Sequence, residues 1–407
     1  MDALLEQSAS TIESGAHDRP FNRMTQELSE VDDGLAVVES FSHSVVVDSE
    51  DGLVAFDASH AATGSAVVQA IQGWSASPVS HLVYTHGHAD HVGGSVDFEA
   101  AFGAMTVVGH ENVERRFQRY RDTNAWNVLI NARQFGGVRA DFSMGDGDEP
   151  DFIPRGTLAP THVVEDHDAL TVGNRTIELH HARGETDDHL WAWLPAERWL
   201  MAGDFVIWNF PNAGNPQKVQ RYPLEWAAAL RDMAAHRPEI LLPAHGLPVG
   251  GTERIHEMLT TIAGALEGLV HDVVTMMNGG EVLDSIVHSV GVDDDLLAKP
   301  YLRPLYDEPE FVIRNIWRQY GGWWDGAPSR LKPSPDAVVA EELATLAGGA
   351  DRLAARAEEL AADDIRLACH LADLAAWAAP DDPSVHGARA EIYKVRRQRE
   401  TSLMAKG

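Results

Sequence analysis

His86-Gly87-His88-Ala89-Asp90-His91 concentrates three imidazoles and a carboxylate in one short string. On an extended backbone, residues two apart face the same side, so His86 and His88 can converge on a single cation. Small residues then let the chain turn, and Asp90 and His91 point to a neighbouring position. Neutral imidazoles with a carboxylate suit zinc, and iron or manganese less well. A satisfied histidine cluster near a helix start is the plain alternative, and the spacing weighs against it. Cys369, the only cysteine, lies in the apolar helical stretch Arg366–Leu374 and reads as packing material. Neither an internal disulfide nor a Cys-rich zinc module is available.

The residues around this string alternate between strand and helix patterns. Ser44–Asp48 and Leu53–Asp57 flank Gly52 as a hairpin. A helix over 65–74 follows, then a strand from Pro78 into the histidines, a strand at Met105–Val108 and a charged helix over about 111–121. Further strands are expected at Arg175–His181, Leu190–Leu194, Trp199–Ala202 and 240–242, with a helix from Pro223 to His236. Such alternation makes an α/β layered domain. After Gly250-Gly251 the pattern turns helical. Ile255, Met258, Leu259, Ile262, Leu266, Leu269, Val273 and Met276 share one face, and helical runs follow near 336–347, 350–362, 364–379 and 383–400. The chain is expected to divide into a catalytic part over 1–250, with 1–30 as an N-terminal arm, and an all-helical part over 251–407.

At roughly 150 residues per domain, a chain of 407 residues allows two or three domains. Acidic residues outnumber basic ones 62 to 32, a formal charge of −30, which repels phosphate backbones and anionic lipid. Nucleic acid and membrane are therefore not expected as partners. The basic stretch Lys394–Arg399 sits near a helix C-terminus, where cations offset the dipole. The acidic N-terminus has no continuous apolar run, and no stretch of about 18 apolar residues occurs anywhere, so neither a signal peptide nor a spanning helix is expected. A cytoplasmic protein is the expectation.

The H-x-H-x-D-H string resembles the signature of the metallo-β-lactamase superfamily, and the order of elements before it is similar. The resemblance implies an αβ/βα sandwich with a two-metal site at one edge of its sheets. Its first motif, an Asp at a strand end, matches Asp57. Its later ligand slots fall on Glu185 in Gly184-Glu-Thr-Asp-Asp-His-Leu-Trp, Asp204 in Ala202-Gly-Asp, and His245 in Pro243-Ala-His-Gly. Most of the superfamily has His at the Glu185 slot; glutamate there looks like the type III alkyl sulfatases. Asn131–Gly136 and Asn315–Pro328 also resemble stretches of that family, and the helical tail is similar to its dimerisation domain. Asp204 in place of a bridging Glu, and the segment Asn209–Arg221, depart from it. His189 or His181 is the alternative at the third slot, but Gly184 and Thr186 copy the small-residue frame around the family's ligand and favour Glu185.

The resemblance implies two divalent ions, zinc by the donor chemistry. His86, His88 and Glu185 would hold one, Asp90, His91 and His245 the other, with Asp204 between them. Those carboxylates and a hydroxide would leave the cluster near neutral, so an anionic substrate needs further cations. Lys218 and Arg221 in the segment after Asp204, and Arg133 and Arg314 in the family-like stretches, are the candidates at the rim. Asn212 and Asn215 lie in a loop between prolines and can donate to substrate oxygens. Trp208, Trp323 and Trp324 are candidates for an apolar wall, with core packing the stronger reading. The expected activity is hydrolysis of alkyl sulfate esters by a bridging metal-bound hydroxide oriented by Asp90, in a homodimer. A carboxyl-ester, lactone or thioester hydrolase of the same fold is the first alternative, and a non-catalytic metal-binding assembly scaffold the second.

Overall fold

The computed structural model describes residues 3–16, 21–135 and 151–407. Gly136, which ends the family-like stretch from Asn131, lies outside them. Among the described residues no helix is long and apolar enough to cross a membrane.

Two sheets form the core of the first part of the chain. The first is seven-stranded, in sequence order β1 (Leu28–Asp32), β2 (Leu35–Val38), β3 (Ser44–Ser49), β4 (Gly52–Phe56), β5 (Val79–Val83), β6 (Thr106–His110) and β7 (His162–Val164). Its first four strands are antiparallel neighbours, and β4 to β7 run parallel. The second sheet contains β8 (His167–Val172), β9 (Arg175–His181), β10 (Leu190–Leu194), β11 (Trp199–Gly203), β12 (Ile240–Pro243) and β13 (Val249–Gly250). Only β11 and β12 are parallel within it.

The period of two in the strands sorts the cores. Val45 and Val47 of β3, with Val54 and Phe56 of β4, face the second sheet, where Ile177, Leu179 and Leu200 meet them in the main core. Val46, Leu53 and Ala55 point the other way, onto a second core with Val67, Ile71, Phe98 and Phe117. Those partners come from α2 (Gly64–Trp74), α4 (Ser95–Phe102) and α5 (Asn112–Asp122). On the far face of the second sheet lie α7 (Pro223–Ala235) and α8 (Thr252–Asn278), packed along one another. The layers are therefore the expected αβ/βα sandwich. The apolar row from Ile255 to Val273 joins the main core, so α8 packs with the sandwich although it begins after β13.

Several elements were not legible in the apolar pattern. α1 (Ala3–Ser14) opens the N-terminal arm and buries Leu4 and Leu5 beside β13. β1 and β8 are edge strands with few inward side chains, so their alternation is faint. α6 (Asn124–Gln134) is rich in asparagine, a poor helix former, and is held by Asn127 and Asn131 bonding back to the preceding turn.

The remaining chain is helical. Helix Pro309–Gly321 packs on α8, and helices Asp336–Ala347, Ala350–Leu360, Ile365–Ala378 and Pro383–Arg399 form a bundle with Ala-rich interiors. The last turn, Leu403–Lys406, folds back beside Tyr306: Ser402 Oγ donates to the Tyr306 carbonyl at 2.8 Å.

Topology brings the chemistry to one edge. Asp57 follows β4 and Thr85 to His91 follow β5, and these two strands are parallel. Asp204 follows β11 and His245 follows β12, again parallel, while Glu185 lies in the loop that enters the antiparallel β10.

Candidate metal centre

After β5 the chain bends at Thr85, and His88, in an extended conformation, leads into one turn of helix, α3 (Ala89–Val92). This sets the His86 and His88 rings 4.4 Å apart and turns Asp90 and His91 to the next position. Two groups of ligand atoms result. His86, His88, Glu185 and Asp204 make one; Asp90, His91 and His245 make the other. His88 Nδ1 lies 3.8 Å from Glu185 Oε1, and His245 Nε2 lies 3.4 Å from Asp90 Oδ2.

Asp204 faces both groups. Its Oδ2 is 3.9 Å from His86 Nε2, and its Oδ1 is 3.5 Å from both His91 Nε2 and His245 Nε2. Gly203 before it has φ +53, and a Cβ there would meet His189 Nε2 at 2.5 Å. His189, the alternative ligand, stands outside both groups; its Nε2 accepts from the Asp204 N–H at 3.2 Å. His181 is also outside, stacked on His110 at 3.8 Å.

Asp57, at φ +61, is the hub beneath the site. It accepts from Thr85 N and Thr85 Oγ1, each at 2.7 Å, and lies 2.8 Å from His91 Nδ1. Holding Nδ1 this way aims Nε2 outward, the usual arrangement behind a ligating histidine. Asp188 and Arg116 brace the other side, with Asp188 accepting from Gly87 N at 3.0 Å and Arg116 Nε at 2.8 Å.

The donor set fits divalent cations. His91 Nε2, Glu185 Oε2 and Asp204 Oδ1 are buried without a hydrogen-bond partner among the described residues. Burial, with His91 beside it, holds the His86 imidazole well below its usual range and so in the neutral, ligating form. Burial opposes charge on His91, yet Asp204, Asp57 and Asp90 draw its imidazole well above the usual range. Positive charge belongs where those carboxylates meet.

The residues expected at the rim fall into different places. Arg221 is not at the rim: it is 1% exposed, donates from Nη1 to the Glu185 carbonyl, and sets Nη2 3.3 Å from Glu185 Oε1. It is fixed in turn by Asn315, whose Nδ2 donates to the Arg221 carbonyl at 3.0 Å. Asn212 also bonds Glu185, with Nδ2 2.5 Å from Oε1, so its amide is committed to that carboxylate. Asn215 keeps a buried Nδ2 with no partner among the described residues, free to donate. Lys218 reaches Asn131 Oδ1 at 3.3 Å and lies over the Phe152 ring. Burial pushes its ammonium down to about 8, aided by Arg221 and opposed by Asp90 and Glu185. Arg314 is instead half-exposed and paired with Glu310 at 3.3 Å, and Arg133 is exposed on α6. Trp208 packs in the core and donates to the Leu247 carbonyl, while Trp323 is 71% exposed.

Sequence reasoning missed three neighbours of the site. Phe41 stands edge-on to His245, with ring centroids 6.2 Å apart, and Phe135 stands edge-on to Phe41 at 5.9 Å. Tyr306 accepts from Gln134 Nε2, and burial, with Glu185 and Asp90 adding, keeps its phenol protonated. Phe135 belongs to the family-like stretch from Asn131, whereas Phe41 and Tyr306 carry no local motif. Contacts made by folding hold Tyr306 here: Ser402 Oγ donates to its carbonyl, and the Gly214 N–H donates to the adjacent Asp307 at 2.7 Å.

A model of the metallo-beta-lactamase superfamily matches residues 37–245, about half the chain, and the chain belongs to that superfamily. A second model, alkyl sulfatase dimerisation, matches residues 282–407. The linear primary-alkylsulfatase of Pseudomonas sp. (strain ATCC 19151) is 27% identical over 373 residues, covering 86% of this chain and 69% of that protein. An alkyl/aryl-sulfatase of Saccharomyces cerevisiae is 24% identical over 337 residues, covering 77% of this chain and 50% of the relative. A solved inverting sec-alkylsulfatase from Pseudomonas sp. superposes with a TM-score of 0.83 at 21% identity, over 93% of this chain and 64% of that one. The chain thus spans between half and about two thirds of the length of these relatives.

Proposed function

We propose that this protein is a metal-dependent hydrolase of alkyl sulfate esters, working with two divalent ions, zinc by donor chemistry, and assembled as a homodimer. The position of Asp204 carries the reading, because each of its oxygens faces a separate ligand group. The alkylsulfatase names of the relatives supply the substrate class. In this reading residues 1–250 form the catalytic part, and 251–407 the helical part that joins two copies.

His86, His88 and Glu185 would hold one ion and Asp90, His91 and His245 the other, with Asp204 shared. Ions so held lower the pKa of water and polarise an ester oxygen. The chain's own residues do the rest. Asp90 works against burial, but His91 and His245 hold its carboxyl well below the usual range, so an ionised oxygen orients the attacking water. Lys218 and the free amide of Asn215 would donate to the sulfate group, and Tyr306 offers a protonated phenol. Phe41 and Phe135 form an apolar wall beside His245 for the alkyl chain.

A panel of linear alkyl sulfates, carboxyl esters and lactones tests this assignment. Sulfate esters should be hydrolysed in preference, with KM falling as the chain lengthens. Turnover of the uncharged esters alone would replace the sulfatase reading by that of a carboxyl-ester or lactone hydrolase.

A further inference from the structure

Beyond the catalytic edge, the outer face of the second sheet carries another set of ligand types. Ile177 and Leu179 of β9 point into the main core, so Glu178 and His180 point outward. The register places His167 of β8 directly opposite His180, and His180 opposite Trp191 of β10. One rung of the sheet therefore reads His167, His180, Trp191, with Glu178 two residues along on the same face.

We infer that His167, Glu178 and His180 form a second, peripheral site for a transition-metal dication such as Zn2+, distinct from the catalytic edge. One ligand atom from each lies within 4.8 Å of the others. His167 and His180 have ring centroids 4.6 Å apart at 70°, so the rings converge rather than stack. His180 Nε2 lies 3.7 Å from Glu178 Oε2, too long for a hydrogen bond. It is close to the separation of about 3.4 Å between two ligands of a tetrahedral ion with bonds of about 2.0–2.1 Å. That Nε2 is buried and has no hydrogen-bond partner among the described residues.

The ring is also pre-set. Trp191 stacks flat on His180 at 4.0 Å and 7°, which fixes its plane, and His236 stands edge-on at 5.8 Å. Nδ1 of His236 is 2.9 Å from the Asp232 carbonyl, so it serves as the donor there and does not compete for His180. Burial, with His167 adding, holds His180 below its usual range, in the neutral form that ligates. Two imidazoles and one carboxylate are a known zinc-binding set, and they leave room for water. An ion here would tie edge strand β8 to β9 and, binding only the folded hairpin, stabilise it.

The test uses full-length protein with its catalytic metals loaded. Zinc added to the parent and to His167→Ala is followed by calorimetry, with bound metal counted by mass spectrometry. The parent should bind one zinc more per chain than H167A. Glu178→Gln, which keeps the shape of the side chain, should weaken that extra site by more than about tenfold, since loss of an outer-shell partner alone costs 10–100-fold. Sulfate-ester turnover should be the same in all three. Equal zinc stoichiometry and affinity in parent, H167A and E178Q would overturn the inference. So would loss of the extra ion together with loss of turnover, which would place it at the catalytic edge.

Discussion

Replacing Arg221 separates two accounts of anion binding. A cationic clamp at the rim would act on substrate alone, whereas the structure sets this guanidinium on the carbonyl and carboxylate of Glu185, out of solvent. Arg221→Ala leaves a buried carboxylate without its counter-charge, a change that costs about 3–5 kcal/mol. With an unfolding entropy of about 2.1 cal/mol/K per residue, a chain of 407 residues loses about 4–6 °C in Tm. Glu185 would also lose the group that orients it, and metal affinity at the His86–His88 group should drop by about 10–100-fold. Arg221→Lys keeps the charge but not the fork, and should recover only part of either loss. Thermal unfolding and metal counting on both variants measure these effects with no substrate present. If R221A keeps parental Tm and metal content, and only the KM of sulfate esters rises, the positioning role is refuted and the rim clamp is restored.

Other outcomes follow from neighbouring residues. Lys218 is charged below its pKa of about 8 and neutral above it, so KM for a sulfate ester should stay flat at lower pH and climb as pH passes through 8. Lys218→Met should raise KM by roughly ten- to a hundredfold, the worth of one charged hydrogen bond, and abolish that climb; a climb that persists in the variant assigns it to another group. Burying one methylene is worth about 0.8 kcal/mol, so KM in the parent should fall by up to about fourfold per added carbon, and Phe41→Ala should flatten the gradient. An unchanged gradient moves the alkyl site elsewhere. Val339, Leu343 and Leu346 share one face of helix Asp336–Ala347 and are exposed in the single chain. Light scattering should show a dimer for the parent and a monomer for the Leu343→Asp, Leu346→Asp double variant, whereas a monomeric parent would refute assembly through this helix.

Most elements of the layered domain were legible because their signals are local, whereas the αβ/βα arrangement of its layers came from the family resemblance. The hairpin around Gly52, the helix led by Pro223 and the apolar row of α8 each announce themselves in period and punctuation. The residues gathered at the edge were legible for a different reason: the histidine string has a fixed spacing, and resemblance extended it to Glu185, Asp204 and His245. What failed was the surroundings. Arg221 and Lys218 are three residues apart in the same loop, yet one turns under Glu185 and the other reaches Asn131. That choice is made by Asn315 and Asn131, nearly a hundred residues away in either direction, through bonds that no local pattern encodes. Phe41 and Tyr306 escaped notice likewise, since each reaches the site only after two distant segments have docked.

The central claim is that two ions sit on either side of Asp204. Anomalous-difference maps from crystals of the metal-loaded protein, recorded on both sides of the zinc edge, measure this directly. The account predicts two peaks roughly 3.5–4 Å apart, one among His86, His88 and Glu185, the other among Asp90, His91 and His245, with an Asp204 oxygen on each. A single peak at this edge, or a peak coordinated by His189 in place of Glu185, would contradict it.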